Sequence, residues 1–267
     1  MTTLINGINI NYIVRGEDAA LPVVFIHGFP FSHEIWLSQL EVTAKLYRAV
    51  AYDLRGHGGS GVGDGQFTIE GHCDDLIALL DHLQIARAVI VGLSMGGYIA
   101  LRIVERNPER WCGLVLCDTR SEADSNEGRI RRAKDAAGVK AEGSRTFADD
   151  FVHKVFAPDS FNRRTESIAS IHRIIRRTPP LSIAGTLIAL AGRTDTTASL
   201  PNIKIPTLIL VGEHDTITPP AASQAMLERI PGAELAVVPE AAHMSSMENP
   251  EFFNEKLLIF LKRVAGA

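Results

Sequence analysis

Short apolar runs punctuate the chain at residues 23–26, 88–91, 114–116 and 207–211, with a weaker one at 49–52. They are continuous rather than alternating, the pattern of strands covered on both faces, as in a parallel sheet flanked by helices. Helical stretches such as residues 69–83 and 97–106 separate them. Strand and helix in alternation predict an α/β fold with a mostly parallel central sheet.

The alternation stops between about residues 121 and 200, where helix-like segments at 127–140 and 160–177 take over. An inserted helical cap is expected there, with the core formed by residues 1–120 and 201–267. Beyond the cap, Ile205-Pro206 opens another strand and residues 233–238 read as the next. Asn249-Pro250 then carries the N-cap and first-turn chemistry that starts a helix.

Composition narrows the class. With 267 residues, 46% hydrophobic and 22% charged, the chain is an ordinary globular one able to bury a large core. A net charge of −4 gives nothing to draw the whole molecule to nucleic acid or anionic lipid. The cap region holds 13 basic and 10 acidic residues against a net −7 elsewhere, an excess read as solvated helix face. No apolar stretch reaches the roughly 18 residues of a membrane span, and the first ten residues lack the pattern of an export signal. Cys73, Cys112 and Cys117 are odd in number and lack CxxC spacing, which argues against a disulfide framework and a thiolate zinc site. A reducing cytoplasm is the expected setting.

The chemistry concentrates in Gly92-Leu93-Ser94-Met95-Gly96, a G-x-S-x-G motif with an apolar strand before it and a helical segment after it. A serine at a sharp strand-to-helix turn needs neighbours without side chains two positions either side, and Gly92 and Gly96 meet that need. A serine hydroxyl is a poor nucleophile until a base takes its proton, so a histidine and a carboxylate are required on later loops of the same sheet edge. His243 follows the last predicted strand, and Asp215 follows the strand at 207–211.

The order Ser94, Asp215, His243 resembles the α/β-hydrolase fold family. So do His27-Gly28-Phe29-Pro30, Asp53-Leu54-Arg55-Gly56-His57-Gly58, Gly212-Glu213-His214-Asp215 and the stretch from His243 to Glu248-Asn249-Pro250, so that the likeness covers nearly the whole chain. It implies Ser94 as nucleophile, His243 as general base and then acid, and Asp215 as the group that orients the imidazole. It also implies an oxyanion hole from the backbone amides of Phe29 and Met95. Asp118 also follows a strand, and some members of the fold place the triad acid there, so it stands as the alternative to Asp215.

Other patterns carry less. Gly56-His57-Gly58-Gly59-Ser60-Gly61 spells G-x-G-x-x-G, but residues 62–66 prolong the loop where a dinucleotide site would run straight into its helix. Arg55 and His57 are read as loop-fixing residues. His33, His72, His82, His153 and His172 are read as surface or cap residues, and no metal site is expected. Phe29, Phe31, Met95 and residues 181–191 are candidates to line an acyl or alcohol pocket. The expected activity is hydrolysis of a small or medium carboxylic ester or lactone, with no cofactor. Serine at the elbow departs from the dehalogenase and epoxide-hydrolase pattern, whereas enol-lactonases, cofactor-free haloperoxidases or perhydrolases and carbon–carbon bond hydrolases keep it. A non-catalytic ligand sensor is the reading from another class.

Overall fold

The structure, a computed structural model, describes residues 1–266. Its strands are β1 (Thr2–Ile5), β2 (Ile8–Arg15), β3 (Pro22–Ile26), β4 (Arg48–Tyr52), β5 (Ala88–Leu93), β6 (Trp111–Cys117), β7 (Thr207–Gly212) and β8 (Glu234–Val238). The helices are α1 (Leu37–Thr43), α2 (Ile69–His82), α3 (Met95–Arg106), α4 (Asn126–Val155), α5 (Ser160–Arg163), α6 (Thr165–Arg177), α7 (Pro180–Ala191), α8 (Pro220–Leu227), α9 (Ser245–Glu248) and α10 (Pro250–Ala265). The eight strands form one sheet in the order β1-β2-β4-β3-β5-β6-β7-β8. Pairing is parallel from β4 through β8 and antiparallel at β1–β2 and β2–β4.

Every residue of β5 and of β7 is buried, because helices cover both faces of the sheet centre. Trp36, just before α1, packs against Phe25 of β3 and Phe253 of α10, with ring centroids 5.3 and 6.1 Å apart. Local chemistry starts the helices where the sequence places them. Thr68 caps α2 by accepting the Gly71 N–H at 2.9 Å, and Asn249 caps α10 by accepting the Phe252 N–H at 3.3 Å, with Pro250 in its first turn.

Two elements differ from expectation. The N-terminal hairpin of β1 and β2 is absent from the apolar-run reading, because as an edge hairpin it alternates: Ile8, Ile10 and Tyr12 point inward between more exposed neighbours. Its signal is the Asn6-Gly7 turn, with φ of 44° and 81°, joining Ile5 directly to Ile8. The helix expected over 160–177 is two, α5 and α6, separated by Arg164, which leaves the helical region at φ −128°. Between β6 and β7 the chain forms α4 to α7 and no strand, and α4 is interrupted at Gly143.

Gly7 has open space where a Cβ would stand, so Gly7→Ala tests the backbone alone. The substitution should cost about 1 kcal/mol, lowering the melting temperature by about 2–4 °C. An unchanged melting curve would contradict the left-handed turn.

Candidate active site

The parallel strands deliver their carboxyl ends to one edge, and the candidate residues emerge there: Phe29 after β3, Ser94 after β5, Asp118 after β6, Asp215 after β7 and His243 after β8. Ser94 occupies a backbone conformation of φ 53°, ψ −114°, unusual for a residue with a side chain. A Cβ on Gly92 would lie 2.3 Å from the Gly96 carbonyl oxygen, and one on Gly96 would lie 2.3 Å from the carbonyl oxygen of Ile26. Only glycine lets the chain turn back that closely. The turn is tied on both sides, since Ser94 N–H donates to the Cys117 carbonyl at 2.9 Å and the Thr119 hydroxyl donates to the Ser94 carbonyl at 2.8 Å.

Asp215 and His243 meet below the rim. Asp215 Oδ2 lies 2.8 Å from His243 Nδ1 and accepts the Thr218 hydroxyl at 2.7 Å, while Oδ1 accepts the N–H groups of Ile217 and Thr218 at 2.8 and 3.0 Å. Burial alone would push the Asp215 carboxyl up, but the His243 ring and the Thr218 donors hold it below its ordinary value. An ionised Asp215 can only accept, so the proton sits on Nδ1 and leaves Nε2 free as an acceptor.

Asp118 is bonded elsewhere. Its Oδ1 accepts the Gly212 N–H at 2.8 Å, and its Oδ2 is bonded to the Ser245 hydroxyl. Burial, and then the charge of Asp215, push its carboxyl well above the ordinary range. The geometry brings Asp215, and not Asp118, against the imidazole.

Ser94, His243, Phe29 and Met95 all line one cavity of about 890 Å³. Among the described residues no hydrogen bond joins the Ser94 hydroxyl to the His243 ring, a contact that commonly tightens only on substrate binding. Met95 is the first residue of α3, so its N–H has no acceptor within the helix. The Phe29 loop is fixed by His27: Nδ1–H donates to the Gly28 carbonyl at 2.8 Å, and Nε2 accepts the Leu54 N–H at 3.0 Å. That pair of bonds requires a neutral ring. Burial, reinforced by nearby His57, lowers the His27 pKa to about 3.

The cavity wall was only partly legible. Phe29, Met95, Leu187 and Leu190 line it as expected, but Phe31 is fully buried behind it and Leu181 is about half exposed. Four phenylalanines were missed: Phe147, Phe151, Phe156 and Phe161. Phe147 and Phe151 lie four residues apart, which puts them on one helix face, stacked at 5.2 Å and each set edge-on to Phe29 at 5.9 Å. That spacing was the available signal.

The decoy motifs serve the scaffold. In the glycine-rich loop, Gly59 N–H points inward and donates to Asp53 Oδ2 at 2.8 Å, and His33 bonds the other oxygen. Arg55 pairs with Asp75 through two bonds of 2.7 Å, and His57 is buried. His72 is a correction, since it is fully buried on α2 rather than at the surface. Among the described residues no group of three or more His, Cys, Asp or Glu is placed to hold a metal ion, and no helix is long and apolar enough to cross a membrane.

Comparison with known proteins agrees with this architecture. Residues 22–250 match the family model described as the alpha/beta hydrolase fold, and the chain belongs to that family. It is 28% identical to 3-oxoadipate enol-lactonase 2 of Acinetobacter baylyi over 98% of this chain and 96% of that protein. A thermophilic esterase from Thermogutta terrifontis superposes with a TM-score of 0.94 at 36% identity, covering 99% of this chain and 97% of that one. The enol-lactonase from Burkholderia xenovorans superposes at 0.92 with 30% identity, covering 98% and 100%.

A neutral His27 has a consequence in acid. The unfolded chain protonates this residue near pH 6.5 while the folded one resists to about 3, so its contribution is complete above pH 6.5 and is lost as pH falls. Replacing it with glutamine, which also offers a donor and an acceptor, should destabilise at pH 7.5. The deficit in urea denaturation should shrink by on the order of 2 kcal/mol at pH 5. An equal deficit at both pH values would refute a neutral ring.

Proposed function

We propose that the protein is a serine hydrolase of small or medium carboxylic esters or lactones, with residues 121–200 acting as the cap over its site. The observation that carries this reading is the opening of Ser94, on its strained turn, and His243, backed by Asp215, into one cavity.

In the proposed cycle His243 Nε2 takes the proton of Ser94 as its Oγ attacks the substrate carbonyl carbon. The negative charge moves to the carbonyl oxygen, where the N–H groups of Phe29 and Met95 receive it. Such preorganised donors lower the barrier by about 3–4 kcal/mol each. Collapse expels the alkoxide, which takes the proton from His243, and leaves an acyl-serine. With a lactone, the alcohol remains attached to the acyl group. Water, deprotonated by His243, attacks the acyl-serine, and the carboxylic acid leaves as Ser94 recovers its proton. Asp215 fixes the tautomer and faces the positive imidazole without taking its proton.

The apolar wall of Phe29, Phe147, Phe151, Leu187 and Leu190 favours an apolar acyl or alcohol group. The enol-lactonase and esterase relatives support the same substrate chemistry. A chloroperoxidase of Kitasatospora aureofaciens is also 31% identical, so perhydrolysis, with peroxide in place of water, is the second reading at the same acyl-serine.

Ser94→Ala should abolish turnover of short-chain chromogenic esters, to below about a thousandth of the parent rate, while its circular dichroism and melting temperature persist. A folded variant that still turns over these esters would overturn the assignment. A panel of esters, lactones and thioesters, run with and without peroxide, separates the readings.

A further inference from the structure

Glu248, at the end of α9, is 3% exposed, and among the described residues no cation pairs with its carboxylate. N–H and O–H groups surround it instead. Oε1 accepts the Ala157 N–H and the Ser160 hydroxyl, both at 2.7 Å, and Oε2 accepts the Ala242 N–H at 2.8 Å. Its two oxygens therefore hold different parts of the chain. One holds the segment that follows α4, where Phe156, Ala157, Pro158 and Phe161 face the cavity. The other holds the residue immediately before His243. Two further bonds run alongside: Met244 N–H to the Val155 carbonyl at 3.2 Å, and Arg164 Nε–H to the Glu248 carbonyl at 2.8 Å.

Burying an acid is costly, and at Glu248 burial pushes the carboxyl above its ordinary value despite the donors around it. Simple packing would be served better by an apolar side chain. A carboxylate has what this junction needs, acceptors facing two ways at once, whereas an amide would turn N–H groups toward one set of donors.

We propose that Glu248 is a positioning residue whose carboxylate clamps the wall segment Ala157–Ser160 to the loop of His243, so that the cavity wall and the base are held as one unit. The inference rests on the reading of His243 as the base. Substrate packed against the wall then meets an imidazole already set at the rim, and misplacement by about 1 Å costs about a hundredfold in rate.

The test is steady-state kinetics on a short-chain chromogenic ester, with active sites counted by a phosphonate probe. For Glu248→Gln, kcat should fall about 10- to 100-fold per active site while KM moves less than about threefold. Ser160→Ala, which removes one strut, should lower kcat about two- to fivefold. The double variant should be no slower than Glu248→Gln, because both changes open the same clamp. Multiplicative losses, a kcat within twofold of the parent for Glu248→Gln, or a change confined to KM would overturn the proposal. If Glu248→Gln does not fold, Ser160→Ala decides it, and an unchanged kcat there overturns it. His243→Ala is assayed in parallel: retained turnover would sink the functional reading itself, whereas its loss beside a normal Glu248→Gln would sink only the clamp.

Discussion

The turn between β5 and α3 holds Ser94 at a positive φ, and it stays there because both flanks are tied to the end of β6. Such a backbone costs on the order of 1–3 kcal/mol and persists only where the surroundings over-determine it. Here Gly92 lies against Gly96 at a separation no side chain permits, and Gly96 lies equally close to the last residue of β3. One consequence is the direction of the serine hydroxyl, out of the sheet and into the cavity. Another is that Met95, the first residue of α3, reaches the rim with an N–H that has no acceptor within the helix, beside the loop that brings Phe29.

Charge is distributed around this turn by burial as much as by pairing. Asp215 stays ionised because the His243 ring and Thr218 surround it with favourable partners. Asp118, enclosed with it below the rim, is pushed toward the neutral acid by its burial first and then by the charge of Asp215. Held between Gly212 and Ser245, Asp118 braces the start of the loop that carries Asp215 and the end of the loop that carries His243. His27 uses the opposite device, an imidazole kept neutral so that one ring can donate to Gly28 and accept from Leu54.

The parts of the fold legible in the sequence were those whose signal is local. Apolar strands β3 to β7 announce themselves because both faces are covered, and the strand–G-x-S-x-G–helix context marks the turn at Ser94. The β1–β2 hairpin escaped a search for continuous runs because an edge hairpin shows alternation and a two-residue turn. The proximity of Asp215 to His243 was expected from order along the sheet edge, but the bonding of Asp118 depends on three loops meeting and leaves no trace in spacing. His72 looked like any polar residue on a helix, and only the packing of α2 shows that it is enclosed. Phe147 and Phe151 were visible at i and i+4, yet which way that face turns is decided by the contacts of α4.

Four of the cavity's phenylalanines come from residues 147–161, one uninterrupted length of chain, whereas the polar groups of the rim come from five separate loops anchored in the sheet. Tailoring and chemistry are thus written in different stretches of the gene. Phe147 and Phe151, which lie before the segment that Glu248 holds, can be exchanged to change what the pocket admits without touching the turn at Ser94; the sheet edge has no such freedom, since each loop there braces another.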